Sequence, residues 1–117
     1  MKRSPMKRSI KPMRSSPKRH TSQESRYLGA VASLGCSLCR FLGYGESPAE
    51  AHHQRTGTGM TRASHYRTTG LCPTHHRGNE GIHGMGREEF ALMYGISEVE
   101  LIEQTRAELA HLIPEGE

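Results

Sequence analysis

The fold of this chain is decided by two short segments, CSLC at residues 36–39 and CPTH at residues 72–75. Each segment carries two metal-binding side chains three residues apart, so one turn of backbone can offer both to the same ion. Four such ligands form a closed tetrahedral zinc site, with metal–ligand distances of about 2.0 to 2.3 Å. We therefore predict a structural zinc, rather than three buried cysteines without a metal, and its ligands are Cys36, Cys39, Cys72 and His75.

The composition explains why a metal is needed. The chain has 117 residues, of which 33% are hydrophobic, with no Trp and two Phe, so it supports one domain with a thin core. A structural metal supplies folding energy that such a core lacks. Three cysteines in this spacing suit a reducing compartment, and no stretch is apolar enough for a secretory leader or a membrane span. We expect a cytoplasmic protein without a membrane partner.

Charge divides the chain into two parts. Residues 1–20 contain eight Lys and Arg and no acid, whereas residues 21–117 contain eight Arg and all twelve Glu. The pattern predicts a disordered tail over residues 1–20 and a folded domain over residues 21–117. The tail is expected to bind DNA phosphates non-specifically, the alternative being a solubilising leader. Its cations are Lys2, Arg3, Lys7, Arg8, Lys11, Arg14, Lys18 and Arg19.

Local signals predict a small α+β fold with helices flanking a ββα core. Thr21 with Glu24 and Ser97 with Glu100 have the spacing of capping boxes, which start helices. The predicted helices cover residues 22–34, 71–77, 87–94 and 98–112. Two short strands are predicted within residues 50–66, joined by a turn at Gly57-Thr58-Gly59, and residues 78–86 are predicted as a glycine-rich loop.

A dense group of histidines is left over once the zinc ligands are assigned. His52, His53, His76 and His83 all lie within one short part of the chain, and the chain has no Asp. Such a group indicates a second metal or acid–base chemistry, the alternative being unconnected surface or core histidines. Cations near this group are candidate phosphate contacts or ordinary surface residues: Arg55, Arg62, Arg77 and Arg87.

The order of these motifs resembles the HNH, or ββα-metal, nucleases, and within them the Ref-type recombination enhancement nucleases of bacteriophages and bacteria. The resemblance covers roughly residues 27–104. Its segments are VASLGCSLC at 31–39, AHHQRTGTGM at 51–60, LCPTHHRG at 71–78 and GIHGMGR at 81–87.

The resemblance implies that residues 21–117 are a DNA endonuclease domain that works with the RecA recombinase. It implies that His53 is the general base and that a catalytic Mg²⁺, Mn²⁺ or Zn²⁺ is held by His52, His76 and His83. His65 stands at the middle motif position, commonly Asn or an acid, where it would brace the loop or touch the metal. Two other functions remain open: a non-catalytic zinc module that binds nucleic acid, and a restriction or homing endonuclease with its own sequence specificity.

Overall fold

The computed structural model describes residues 20–117, which form helices packed around one two-stranded antiparallel sheet. This confirms the predicted small α+β class. The eight cations of the basic tail lie outside the described residues. The elements in chain order are α1 Ser22–Ser33, α2 Ser37–Phe41, β1 Glu50–His53, β2 Thr68–Leu71, α3 Pro73–His76, α4 Ile82–Met85, α5 Arg87–Tyr94 and α6 Glu98–Glu108, with a final 3-10 turn at Ala110–Leu112.

Both predicted capping boxes are present. At the start of α1, the Thr21 hydroxyl accepts from the Glu24 backbone N–H at 3.0 Å, and the Glu24 carboxylate accepts from the Thr21 N–H at 2.9 Å. Ser97 and Glu100 make the same pair at the start of α6. The predicted end of α6 at residue 112 was wrong, because the backbone leaves helical geometry at Leu109, whose side chain is buried in the core.

The second strand lies later in the chain than predicted. β2 pairs with β1 so that His52 is opposite Thr69 and His53 is opposite Thr68. The prediction of both strands within residues 50–66 was wrong, because Tyr66 is buried against Tyr27, with ring centroids 4.9 Å apart, before the second strand begins. The glycine turn at 57–59 therefore belongs to a long loop, residues 54–67, rather than to a tight hairpin.

Two short helices occur where turns or loops were predicted. CSLC forms the start of α2, and the predicted glycine-rich loop contains α4. Glycine is required where α4 packs on α3: a Cβ on Gly81 would lie 2.7 Å from the His75 carbonyl carbon, and one on Gly84 would lie 2.1 Å from the Gly78 oxygen. This close approach brings His83 next to α3.

The helix predicted over residues 71–77 is shorter than expected. Leu71 ends β2, and the proline at 73 occupies the first turn of α3, where its missing N–H costs no hydrogen bond.

No helix among residues 20–117 has the length and apolar character needed to cross a membrane.

The core consists of two adjacent clusters. The larger one contains all three cysteines together with side chains from α4, α5 and α6, among them Ile82, Phe90 and Leu101. The smaller one is built around Tyr27 and Val31 of α1. All four residues of β2 are buried between these clusters. β1 pairs with this buried strand and carries His52 and His53.

Candidate functional site

The four predicted zinc ligands meet at one buried point. The Cys39 and Cys72 sulfurs are 3.9 Å apart, and the His75 Nδ1 atom lies 3.8, 3.5 and 3.3 Å from the sulfurs of Cys36, Cys39 and Cys72. A tetrahedral zinc with bonds of about 2.0 to 2.3 Å requires ligand atoms about 3.5 to 3.8 Å apart. The spacing of the four atoms therefore fits one zinc-sized ion, and the cluster could bind a metal such as zinc.

The local structure explains this placement. Cys36 and Cys72 are the N-cap residues of α2 and α3, so each chelating pair straddles the first turn of a helix. Burial raises the pKa of Cys36 to about 11 and lowers the pKa of His75. Metal binding must therefore displace thiol protons, and the positive ion would neutralise the thiolate charge that burial disfavours. All four side chains are buried, which leaves no open position for a substrate.

A second group of imidazoles lies at the surface. His52, His76 and His83 each offer a ring nitrogen, and these three atoms lie within 4.8 Å of one another. The ring centroids are 5.2, 5.0 and 4.7 Å apart. The three side chains form a gradient of burial, with His52 buried, His76 half-buried and His83 exposed. The structure thus brings together all three residues that the resemblance assigned to a catalytic metal, in a group open to solvent.

Two glutamates orient this group from behind. His52 Nε2 donates to Glu98 Oε2 at 2.6 Å, and His76 Nδ1 donates to Glu50 Oε1 at 2.7 Å. The other ring nitrogen of His52 and of His76 therefore carries a lone pair that could bind an ion. A carboxylate behind a ligating histidine is the usual way in which proteins fix its tautomer and orientation.

Glu98 is the more buried of the two carboxylates, with its side chain 1% exposed. Besides His52, it accepts from the backbone N–H groups of Arg55 and Thr56 at 3.0 and 2.9 Å, and from the Thr56 hydroxyl at 2.6 Å. Burial raises the pKa of Glu98, but the hydrogen bonds from His52, Thr56 and Arg55 outweigh it and lower the pKa to about 2. Glu98 is therefore a permanent anion at neutral pH.

Glu50 is partly exposed and accepts hydrogen bonds from both His76 and Arg77. Arg77 donates to it through Nε at 3.0 Å and through a second guanidinium nitrogen. The hydrogen bonds from Arg77 and then from His76 lower the pKa of Glu50 to about 2. Neither Glu50 nor Glu98 was predicted as a site residue. Neither has a local motif, although the absence of Asp leaves Glu as the sole acidic residue type available.

His53 follows His52 on β1, and its side chain is half-buried. His53 Nε2 and His65 Nδ1 are 2.9 Å apart, and the His65 ring packs edge-on against His20 at 4.4 Å between centroids. Burial, and then the charges of His65 and Arg62, lower the pKa of His53 to about 4. His53 is thus neutral at physiological pH and can accept a proton.

These side chains line one cleft of about 630 Å³. His52, His53, His65, His76 and His83 all contribute to its surface, with the loop residues 59–63 along its edge. The cleft therefore offers a neutral imidazole beside a group of three histidines that could hold a metal ion. His65 contacts His53 and is not one of the three side chains grouped as metal-binding.

A known protein family matches most of this chain. The family model for recombination enhancement, RecA-dependent nuclease, matches residues 20–109. The match includes both ligand clusters, the cleft and Glu98. The comparison with curated proteins finds no match.

Proposed function

The chain belongs to the RecA-dependent nucleases of recombination enhancement, and from this membership we propose that it is a metal-dependent endonuclease of the HNH type. The proposal places phosphodiester hydrolysis in the histidine-lined cleft. The single observation that carries it is the contrast between the two ligand clusters. One has four buried ligands and no open position, and the other has three imidazoles that line a cleft, two of them oriented by carboxylates.

In this proposal His52, His76 and His83 hold the catalytic ion. When bound there, a divalent ion supplies positive charge to a phosphate oxygen and to the departing oxygen. Glu98 and Glu50 keep the ligating nitrogens of His52 and His76 unprotonated, since each carboxylate binds the opposite ring nitrogen as N–H. Imidazole ligands favour zinc, manganese or similar ions, whereas Mg²⁺ prefers oxygen and would rely on substrate phosphate.

His53 is the proposed general base. His53 Nε2 and His65 Nδ1 are 2.9 Å apart. In the tautomer that the proposal requires, His53 Nε2 donates to His65, which holds the ring in place and leaves His53 Nδ1 free to take a proton from the attacking water. The low pKa of His53 keeps it unprotonated at the pH of the cell. Attack by water in line with the 3′ oxygen would leave 5′-phosphate and 3′-hydroxyl ends.

The decisive experiment replaces the base without touching either ligand cluster. In His53→Ala, cleavage of RecA-paired DNA in Mg²⁺ or Mn²⁺ should fall by about 100-fold or more, the usual effect of losing a general base. Zinc content and DNA affinity should stay as in the unaltered protein. The matched control is His111→Ala, because His111 lies on the exposed terminal 3-10 turn away from the cleft and its loss should leave cleavage unchanged.

The same assay separates the alternatives. If the unaltered protein shows no metal-stimulated cleavage with or without RecA, the chain is a zinc-stabilised nucleic-acid-binding module and the enzymatic proposal is wrong. If it cuts a defined DNA sequence without RecA, it acts as a sequence-specific endonuclease. A chelator-resistant cleavage would contradict the metal-dependent mechanism.

A further inference from the structure

The arginines of residues 20–117 fall into two groups. Arg40, Arg67, Arg77 and Arg106 each pair with a glutamate. Within the described part of the chain, no ion pair involves the remaining four, and all four are exposed: Arg26, Arg55, Arg62 and Arg87. Since all twelve glutamates lie within the described residues, these four guanidinium groups are available to an external anion.

Unpaired arginines are concentrated around the histidine cleft. Arg55 and Arg62 line it, and Arg55 also lines the adjoining hollow together with Arg87 and His83. Arg26 lies elsewhere, beside residues 111–114. Arg77, which was also predicted as a phosphate contact, differs from these arginines because its guanidinium group is already hydrogen-bonded to Glu50.

A fully exposed methionine lies between Arg55 and Arg62 in the sequence. Met60 has a relative exposure of 102%, the highest among the exposed large hydrophobic residues, and it lines the same cleft. A partner that covered this side chain would remove its apolar area from water, which is favourable. Apolar side chains of this kind pack against bases in complexes where arginines hold the backbone.

The loop that carries these side chains is held in a defined shape. At its start, Glu98 accepts both backbone N–H groups of Arg55 and Thr56. Further along, Thr58 N–H donates to the Arg55 oxygen at 3.3 Å, and the Thr61 hydroxyl donates to the Thr58 oxygen at 2.6 Å. These hydrogen bonds define the backbone shape of residues 55–61, and the Glu98 that anchors the start of the loop also orients His52.

We propose that residues 55–62 form a DNA-binding loop in which Arg55 and Arg62 each contact a backbone phosphate and Met60 packs against the face of an unstacked base. This inference rests on the proposed nuclease function and adds to it the substrate conformation. Base faces are accessible in a single strand, so the loop is expected to favour single-stranded DNA beside the cleavage site. The loop would place the stretch of DNA backbone held by the two arginines next to His53.

The test measures binding of the full chain to two single-stranded oligonucleotides of equal length, one with normal bases and one with abasic spacers throughout. Met60→Ala should weaken binding to the normal strand by about fivefold, because it removes part of a buried apolar contact. It should leave binding to the abasic strand unchanged. Met93→Ala is the matched control, since Met93 is 56% exposed on α5 and lines no part of the cleft.

The arginines are tested through salt dependence. Arg62→Ala should lower the slope of log affinity against log salt by about 0.7 on both strands, which corresponds to one phosphate of single-stranded DNA. Arg26→Ala should leave the slope unchanged. The inference is overturned if Met60→Ala binds normally, if its loss is equal on both strands, or if Arg62→Ala and Arg26→Ala behave alike.

These outcomes are independent of the enzymatic proposal. Loop variants that bind and cut normally, alongside an inactive His53→Ala, would reject the loop and keep the nuclease. Absence of cleavage in the unaltered protein would reject the nuclease whatever the loop variants show in binding.

Discussion

Replacing Glu98 with Gln removes one negative charge from behind the histidine cleft while keeping the shape of the side chain. The two carboxylate oxygens accept four hydrogen bonds, Oε2 from His52 and Arg55 and Oε1 from the Thr56 backbone and hydroxyl. An amide has one oxygen and one NH₂ group, so either orientation leaves at least one of these partly buried backbone N–H groups without an acceptor. Such an unpaired donor is costly inside a protein.

The magnitude follows from the pKa of Glu98. Its value of about 2 lies below the ordinary 4.5. At 1.36 kcal/mol for each unit of pKa, the folded state gains about 3 kcal/mol from the ionised side chain. Because the pKa is depressed on folding, this stabilisation is complete above pH 4.5 and is lost as the pH falls towards 2. The glutamine side chain of the variant carries no charge, so the loss should be fully expressed at neutral pH.

The measurement is urea unfolding of the zinc-loaded proteins at neutral pH, where acid does not release the metal. Glu98→Gln should lower the free energy of unfolding by about 3 kcal/mol without changing the dependence on urea. Glu108→Gln is the matched control: Glu108 pairs with Arg40 at the surface with its side chain 42% exposed, so its replacement should cost less than about 1 kcal/mol.

A second readout concerns metal binding. If the amide introduced by Glu98→Gln donates to His52 Nε2, the His52 proton moves to Nδ1, which is the nitrogen that an ion in the cleft requires. Affinity for the second ion should then fall by about 10- to 100-fold. A loss of unfolding free energy no larger than that of Glu108→Gln would refute the claim that Glu98 holds the loop and the cleft together.

Two further predictions concern the zinc cluster and the basic tail. A strong chelator should unfold residues 21–117, seen as a loss of helical circular dichroism, and a fully folded zinc-free protein would contradict this. Zinc uptake by the metal-free protein should release protons, because cysteine thiols are largely protonated at neutral pH and bind zinc as thiolates. Deletion of residues 1–19, which removes eight cations, should leave the fold intact and flatten the salt dependence of DNA binding, and an unchanged salt slope would exclude the tail as a DNA-binding arm.

The features that the sequence predicted well depend on neighbours in the chain. A capping box joins residues three apart, and so does each chelating pair, so Thr21 with Glu24 and Cys36 with Cys39 can be recognised from spacing alone. The starts of α1 and α6 were confirmed for this reason, and α5 was confirmed at its predicted bounds, 87–94.

The features that could not be predicted from the sequence depend on distant partners. β2 begins after Tyr66 because Tyr66 packs on α1, a contact that spacing does not reveal. The glycines at 78, 81 and 84 are typical of a loop, but they permit α4 to lie against α3. Glu98 is 46 residues from His52, and it is one of twelve glutamates, so its role could be recognised only in three dimensions.

The two ligand clusters are joined through a single turn of helix. In α3, His75 is buried in the Cys3His cluster and its neighbour His76 faces the cleft. Four residues are too few to form a stable helix in isolation, so the position of α3 depends on the contacts of Cys72 and His75. His83 depends on the same helix, because α4 packs on it through Gly81. An ion in the buried cluster would therefore support the cleft without taking part in its chemistry, since its loss would release two of the three imidazoles proposed to hold a catalytic ion.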